Sequence, residues 1–458
     1  SKKPAVLEDD AREIIEELGY GTDTEDSAYG FQYDKEYLTL LRKEGRTSSR
    51  GETAEPGKPS GIHFWYRQSP RYLLPVARSA WVVSPDDPPP TLPGMIGVRL
   101  NPKGDLVEFY AVPSDGNKPA DEPEDVGWER LFEFAGLELE EFVERKGEEP
   151  MGATPAFADC RIAWKRAHPK AEDAVLVEAA SHLGRPVYFR AGEASPKHER
   201  IPLGIPPSDR TPSKAEEGRA VDWTLCLIVL VASVFVARRS LRLGRSDRKG
   251  AFRFGLFVLS FNLLTWLFEA SHVPFFAGEL ALALSGLLYA VFFATYMGLM
   301  YLAFEPYVRR SWPTSLISWN RFLTGQFRDP LVGRDLLLGV TVGVWCWPVL
   351  RLLTVLAPDW LGPAQPVWRT LPSTLLGGRH LVAVSLFFLC SVGVALLFLL
   401  ILLLLRMLLR KWWLWAPTFV LLGTAAYGSF GGGPLAAWAL SLIHISEPTR
   451  LGMLSRMP

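Results

Sequence analysis

The 458 residues are 48% hydrophobic and 21% charged, with 49 Lys/Arg against 49 Asp/Glu. A formal charge of zero speaks against a nucleic-acid-binding protein, yet it is the sum of two unlike halves. Residues 1–220 hold 29 basic and 40 acidic side chains, a balance of −11, and residues 221–458 hold 20 and 9, a balance of +11. The shift marks the main domain boundary, and 220 residues in front of it are enough to bury a core.

In chain order, 9–18 (DDAREIIEEL) is expected as a helix with Ala11, Ile14, Ile15 and Leu18 on one face, ended by Gly19. Residues 62–66 (IHFWY) are dense in strand formers. Phe64 to Arg67 could serve as a ligand platform, but packing in a core strand is the favoured reading. The prolines at 88–90 and 93 break the chain, and Asp86-Asp87 before them reads as the start of a turn. Residues 95–100 and 106–112 read as a hairpin around Asn101-Pro102-Lys103-Gly104. A helix is expected at 128–135 and strands at 161–165, 175–180 and 186–190, the last two joined at 182–185. Helix followed by antiparallel strands thus occurs twice, at 9–112 and 128–190. A duplicated α+β unit is one reading, although the halves share little sequence. Domain limits of 1–192 and a Pro-, Ser- and charge-rich linker at 193–220 follow.

Beyond the linker lie apolar runs near the ~20 residues needed to cross a bilayer. They occupy 221–237, 254–268, 280–304, 336–357, 381–405 and 414–430. The expected fold is therefore an α+β soluble extracytoplasmic domain followed by an all-α polytopic membrane bundle at 221–439, with about six helices. Basic loops stay in the cytoplasm. Seven Lys/Arg lie at 238–253, none at 269–279, and Arg309, Arg310, Arg321, Arg328 and Arg334 follow the third span. This alternation places 238–253 inside and 1–220 outside. Since 1–220 carries no signal peptide, an upstream span is expected to be missing, and the chain to be a fragment at both ends. Residues 440–450 (LSLIHISEPTR) match the in-frame translation of a sequencing-library transposase adapter, and 455–458 (SRMP) match the adjoining adapter. We expect 440–458 to be a non-native tail.

Candidate chemistry is sparse. His63, His168, His182 and His198 show no metal spacing, the four cysteines suggest no metal site, and no HExxH or GxSxG occurs, so neither catalytic residue, cofactor nor metal is expected. Ionisable residues near membrane depth are the better candidates. Glu269 and His272, with Glu279 across the loop, could sense a cation or outside pH. In 305–335, Trp312 and Trp319 interleave with Arg309, Arg310, Arg321 and Arg328. That pattern fits an interfacial amphipathic segment, aromatic side in lipid, touching the membrane or a cytoplasmic domain. Arg351 is an intramembrane charge. Small residues at Ala283, Gly286, Ala290 and Ala294 favour close helix packing.

The stretches DSAYGFQYDKEYL (26–38), FWYRQSPRYLLP (64–75), DDPPPTLPGMIGVRLNPKGDLVEFYAVP (86–113), GRPVYF (184–189) and EPYVRRSWPTSLISWNRFLTGQFRDPLVGRD (305–335) carry a resemblance. The sequence resembles the extracytoplasmic and multi-pass membrane region of bacterial membrane-anchored serine/threonine protein kinases, over most of 9–439. The resemblance implies a cytoplasmic kinase domain of the same parent polypeptide, one span, this outer domain and then the bundle. Phosphoryl transfer needs a Gly-rich phosphate loop, an HRD and a DFG; none occurs here, so the chain itself is expected to be non-catalytic. The expectation is a sensor and transmembrane signalling module in a bacterial inner membrane. Its partners would be the lipid bilayer and the kinase domain, with homo-oligomerisation left open. The alternative is a membrane-embedded enzyme or transporter whose key residues lie in a missing C-terminal part. EExxxR occurs at 140–145, in the acidic half and not in a span, so it does not pair with the FxxxH at 268–272, and no matched pair of broken helices is present before 439.

Overall fold

A computed structural model describes residues 2–21, 24–34, 60–76, 81–113, 126–145, 158–166, 175–193, 214–244, 246–311, 317–356, 372–390 and parts of 402–419. The chain divides into two units. The first comprises Ser1–Thr211, Trp266–Ser285 and Trp368–Val384; the second comprises Pro212–Thr265, Gly286–Val367 and Ser385–Pro458.

In the first unit, α1 (Pro4–Glu17) begins five residues before the apolar pattern suggested. Pro4 sits at the first helical position, where its fixed φ and missing N–H cost nothing. Leu7, Ala11, Ile14 and Ile15 are its buried face, the i, i+4, i+7, i+8 stripe of an amphipathic helix. Gly19, at φ +76, ends it. Four strands follow: β1 (Asp26–Tyr33), β2 (Ile62–Ser69), β3 (Ile96–Leu100) and β4 (Leu106–Ala111). Then come α2 (Trp128–Phe134), β5 (Phe142–Glu144), β6 (Cys160–Arg166), β7 (Val175–His182) and β8 (Arg185–Glu193). All eight strands make one sheet in the order β1-β2-β3-β4-β8-β7-β6-β5, with every neighbouring pair antiparallel. Each half is thus a helix followed by a four-stranded meander, and the halves meet where Phe109 of β4 faces Phe189 of β8.

Both helices cover the same face of this sheet. Their apolar side chains share one core with Phe64, Tyr66, Val98, Phe109, Val177 and Phe189. Each such large side chain contributes about 1.5–3 kcal/mol by leaving water. Turn chemistry sets the hairpins. Asn101 Oδ1 accepts N–H bonds from Lys103, Gly104 and Asp105, and Gly104 takes φ +103. The β7–β8 turn puts Leu183 and Gly184 both at positive φ, the twist a two-residue hairpin requires.

The opposite face carries a row of charge between apolar patches around Trp65 and Tyr188. Cross-strand register aligns Arg99, Glu108, Arg190 and Glu178 on β3, β4, β8 and β7, an alternating row of charge. Arg99 reaches Glu108 at 2.9 Å and Asp86 at 3.5 Å. Burial lowers the Arg99 pKa, but Glu108 and Asp86 more than offset it, and the net direction is upward. Beside this row, Tyr110 lies over Gly97, where a Cβ would meet its ring at 2.3 Å.

The second unit is helical. Its elements are α3 (Lys214–Arg242), most of α4 (Arg248–Glu269) and of α5 (Phe276–Ser311), α6 (Ile317–Leu323) and α7 (Pro330–Leu356). A further helix, α8 (Gly378–Cys390), starts in the first unit. Among the described residues, two helices are long and apolar enough to cross a membrane, α4 and α5, with mean hydropathies of 1.6 and 1.9. In each, only 22% of the apolar window is buried by the rest of the protein. They run antiparallel in close contact. A Cβ at Gly255 would stand 3.4 Å from the Ala294 carbonyl, and one at Gly298 3.6 Å from that of Ala251. Ala290 and Ala294 are buried, as a small-residue packing stripe requires. The expected spans at 221–237 and 336–357 fall in α3 and α7, and α8 covers the start of the one at 381–405. The span at 414–430 lies mostly outside the described residues, and 440–458 wholly so.

Candidate functional site

The residues around the turn from α4 to α5 belong to the sheet unit, and of the three expected site residues there two meet. His272 Nδ1 is 2.7 Å from Glu279 Oε1, and its Nε2 is 3.0 Å from the Leu267 carbonyl. Both ring nitrogens therefore face acceptors: a neutral ring donates to one of them, a protonated ring to both. The other Glu279 oxygen accepts the Val273 N–H, so Glu279 closes the turn from below. Glu269 is directed elsewhere and takes a hydrogen bond from the Trp81 side chain.

Trp81 belongs to the long connection between β2 and β3, whose folding starts at Arg67. This side chain is 2% exposed. Its Nη1 donates to the Ser84 carbonyl at 2.7 Å and its Nη2 to the Pro88 carbonyl at 2.5 Å. Asp26 on β1 holds the near end by accepting the Leu73 N–H at 2.8 Å. Burial raises the Asp26 pKa against the pull of the Leu73 and Ser27 amides. Trp65, Leu73, Val83, Met95 and Val112 make a small second core under the loop. Phe64, Tyr66 and Trp65 are therefore core residues, as favoured from the sequence.

Held in this way, the loop presents its backbone to the helix turn. The Ser271 N–H donates to the Trp81 carbonyl at 2.8 Å, and Ser271 Oγ accepts the Val83 N–H at 3.1 Å. Tyr72 stacks on Phe275 at 6.0 Å and 8°. A Cβ on Gly278 would stand 3.3 Å from Leu74, so glycine there admits the contact. From the other side, Arg379 at the start of α8 donates to the Phe268 and Ala270 carbonyls at 2.7 and 2.6 Å. A guanidinium there satisfies carbonyls that a helix C-terminus leaves free and matches the negative end of its dipole. The turn Pro372–Leu376 before α8 packs on β1. The ends of three helices are thus bonded into the sheet unit. Trp81, Ser271, Arg379 and Arg67 carry this joint; of these only Arg67 stood out in the sequence, and as part of a strand and not for this contact.

The remaining expected residues lie in the second unit. Asp247 caps α4 through the Gly250 N–H at 2.9 Å. Arg309 bonds Glu305 at 2.5 Å and reaches within 4.0 Å of Asp247. Tyr301 donates to Asn320 at 3.1 Å. Trp319 packs edge-on against Phe254 and Phe257 at 5.7 and 6.1 Å. For Trp319 this corrects the reading of the aromatic side as lipid-facing: α6 turns this ring onto α4, where it packs with Ala251, Val258 and Leu323. Arg321 bonds Asp329 at 2.7 Å. The Leu331 N–H, joined by that guanidinium, holds the Asp329 carboxyl below its usual range. Arg310 and Arg328 are exposed. Trp312 lies outside the described residues, as does the side chain of Arg351 in α7. Among the described residues no group of three or more His, Cys, Asp or Glu side chains is placed to hold a metal ion.

Comparison with protein-family models, with curated proteins and with solved structures returned no match.

Proposed function

We propose that this chain is the sensor and transmembrane signalling part of a receptor-type bacterial serine/threonine protein kinase, carrying no catalytic domain of its own. In this reading residues 1–220 lie outside the inner membrane. A stimulus on the sheet unit shifts the loop after β2, and the loop moves the ends of α4 and α5, changing the population of helix arrangements offered to the kinase domain. The observation that carries the reading is the pair of bonds between Ser271 and the backbone of Trp81 and Val83, with the loop itself clamped by buried Arg67. Backbone hydrogen bonds between this loop and the turn after α4 would pass a displacement on, whereas a flexible tether would absorb it.

The test has two stages. The continuous genomic reading frame is expected to place a kinase domain and one span before Ser1; a secretory signal peptide there instead would refute the kinase context. In that full-length kinase, Ser271→Pro removes the N–H and the hydroxyl together. Autophosphorylation in vesicles is expected to lose its response to the outer domain while the basal rate persists. An unchanged response would show that the joint carries no signal.

A further inference from the structure

The helical unit holds a surface whose charge is not balanced within it. At the ends of α3, α4, α5 and α6 and the start of α7 the acids are engaged: Asp247 and Glu305 by Arg309, Asp329 by Arg321, and Asp335 by Arg334. Arg242, Arg248, Lys249, Arg253, Arg310 and Arg328 are exposed there. Among the described residues none of these six has a carboxylate within ion-pair distance. These ends are held at one level. Arg309 approaches the Asp247 cap of α4, Tyr301 bonds Asn320 of α6, and Leu230 of α3 packs with Met300 of α5.

Apolar side chains are exposed directly beside the cations. Phe252, between Lys249 and Arg253, is 74% exposed, and Phe327, next to Arg328, is 64% exposed. On α4 the outward stripe continues through Leu256, Leu264 and Leu267, each at least 40% exposed. From Phe252 to Leu267 it spans roughly 22 Å at the helical rise, most of a hydrocarbon layer of about 30 Å. Arg248 and Lys249 lie within one turn beyond its end, which is the depth of lipid phosphates. An acidic protein surface would satisfy the cations and leave Phe252 in water. An anionic bilayer interface satisfies both.

We infer that this end of the helical unit is a binding surface for anionic phospholipid headgroups, with the six cations at the phosphate level and Phe252 and Phe327 among the upper acyl chains. The inference rests on the reading of α4 and α5 as membrane-crossing helices and adds headgroup selectivity to it.

The experiment reconstitutes the full chain into phosphatidylcholine vesicles holding a minority of phosphatidylglycerol. Spin-labelled forms of each lipid then report which one the protein retains. Each cation at the surface adds about a five-fold bias, the equivalent of about 1 kcal/mol. A preference for phosphatidylglycerol of at least about five-fold is therefore expected at low salt, fading as salt screens it. Replacing Arg248, Lys249 and Arg253 together by Gln is expected to lower it several-fold, and an undiminished preference would overturn the assignment to this end. The variant Arg248→Lys with Arg253→Lys keeps the charge and is expected to keep the preference. Equal retention of the two lipids by the wild-type chain, with both helices inserted, overturns the inference while leaving the membrane reading intact, and points to an acidic protein surface as the partner. A chain that does not enter vesicles at all overturns both.

Discussion

The two ends of α4 are built on opposite plans. At its C-terminal end the chain supplies the partners: Arg379 takes the last carbonyls, Ser271 takes the sheet loop, and His272 is held between Glu279 and a backbone oxygen. At its N-terminal end Asp247 and Arg309 close one pair, while Arg248, Lys249 and Arg253 face outward with no acid of the described chain to meet them. An open array waits for something outside the chain. The same helix is thus closed by contacts of the chain at one end and carries unmatched charge at the other.

The sharpest way to break the closed end is through Arg67. Arg67→Met leaves the Ser84 and Pro88 carbonyls without donors inside a buried loop, a loss of about 3 kcal/mol for two bonds to a charged group. Thermal unfolding of the full chain followed by tryptophan fluorescence should show it, with faster hydrogen exchange at Val83 and Ser271. Arg67→Lys should rescue little, because one ammonium cannot span the two carbonyls that a guanidinium fork reaches. An unfolding curve matching the wild type would mean that the loop is held by its own small core alone.

Next in size is Gly97→Ala. The new methyl would stand 2.3 Å from the Tyr110 ring, and displacing that ring costs about 1–3 kcal/mol. In a Tyr110→Ala background the same substitution should be nearly neutral. This double-mutant cycle separates the clash from any intrinsic effect of alanine in a strand. Equal losses in both backgrounds would place the cost in the backbone.

A smaller effect tests the joint itself. Ser271→Ala deletes the acceptor of the Val83 N–H and keeps the Ser271 N–H bond to Trp81, for a loss of about 1 kcal/mol. Local opening at Val83 should rise about five-fold in hydrogen exchange, with the exchange of β7 and β8 unchanged. A rise spread over the whole sheet would show that the joint stabilises the domain and does not merely attach it.

What the sequence revealed depended on the range of the interaction. The stripe of α1, the Asn101–Gly104 turn and the β7–β8 hairpin were legible because each is decided within about ten residues. β1 escaped notice: Tyr29-Gly30-Phe31-Gln32 is an edge strand with most positions half-buried, so it has no alternating signature. Its glycine is explained only by Trp65, whose ring would lie 2.7 Å from a Cβ at Gly30. The two-part sheet was suggested by the repeated order of helix and strands, yet its closure through β4 and β8 needs a register no local pattern encodes. The site divides in the same way. Glu269, His272 and Glu279 stood out because charge is rare beside apolar spans. Ser271, Trp81 and Arg379 act on backbone atoms of partners 188, 190 and 111 residues distant, and such partners leave no trace in side-chain type.

The finest test sets one carboxylate of each unit against the other. Asp26, in the sheet unit, is raised by burial. Its folded form binds its proton more readily than the unfolded chain does, so acidification through the carboxylate range stabilises the fold at this residue. Asp329, in the helical unit, is lowered by the Leu331 amide and Arg321. Its contribution is complete above the ordinary aspartate range and is lost as pH falls through its depressed folded value. The two variants should therefore diverge with pH when unfolding is followed in each unit. Relative to wild type, Asp329→Asn should be destabilised at neutral pH and converge with it in acid. Asp26→Asn should lack the acid-side gain that wild type shows and fall progressively behind it as pH drops. Parallel curves for the two variants would mean that neither carboxylate titrates as its surroundings require, and that the contrast between a closed joint and a charged surface does not extend to their protons.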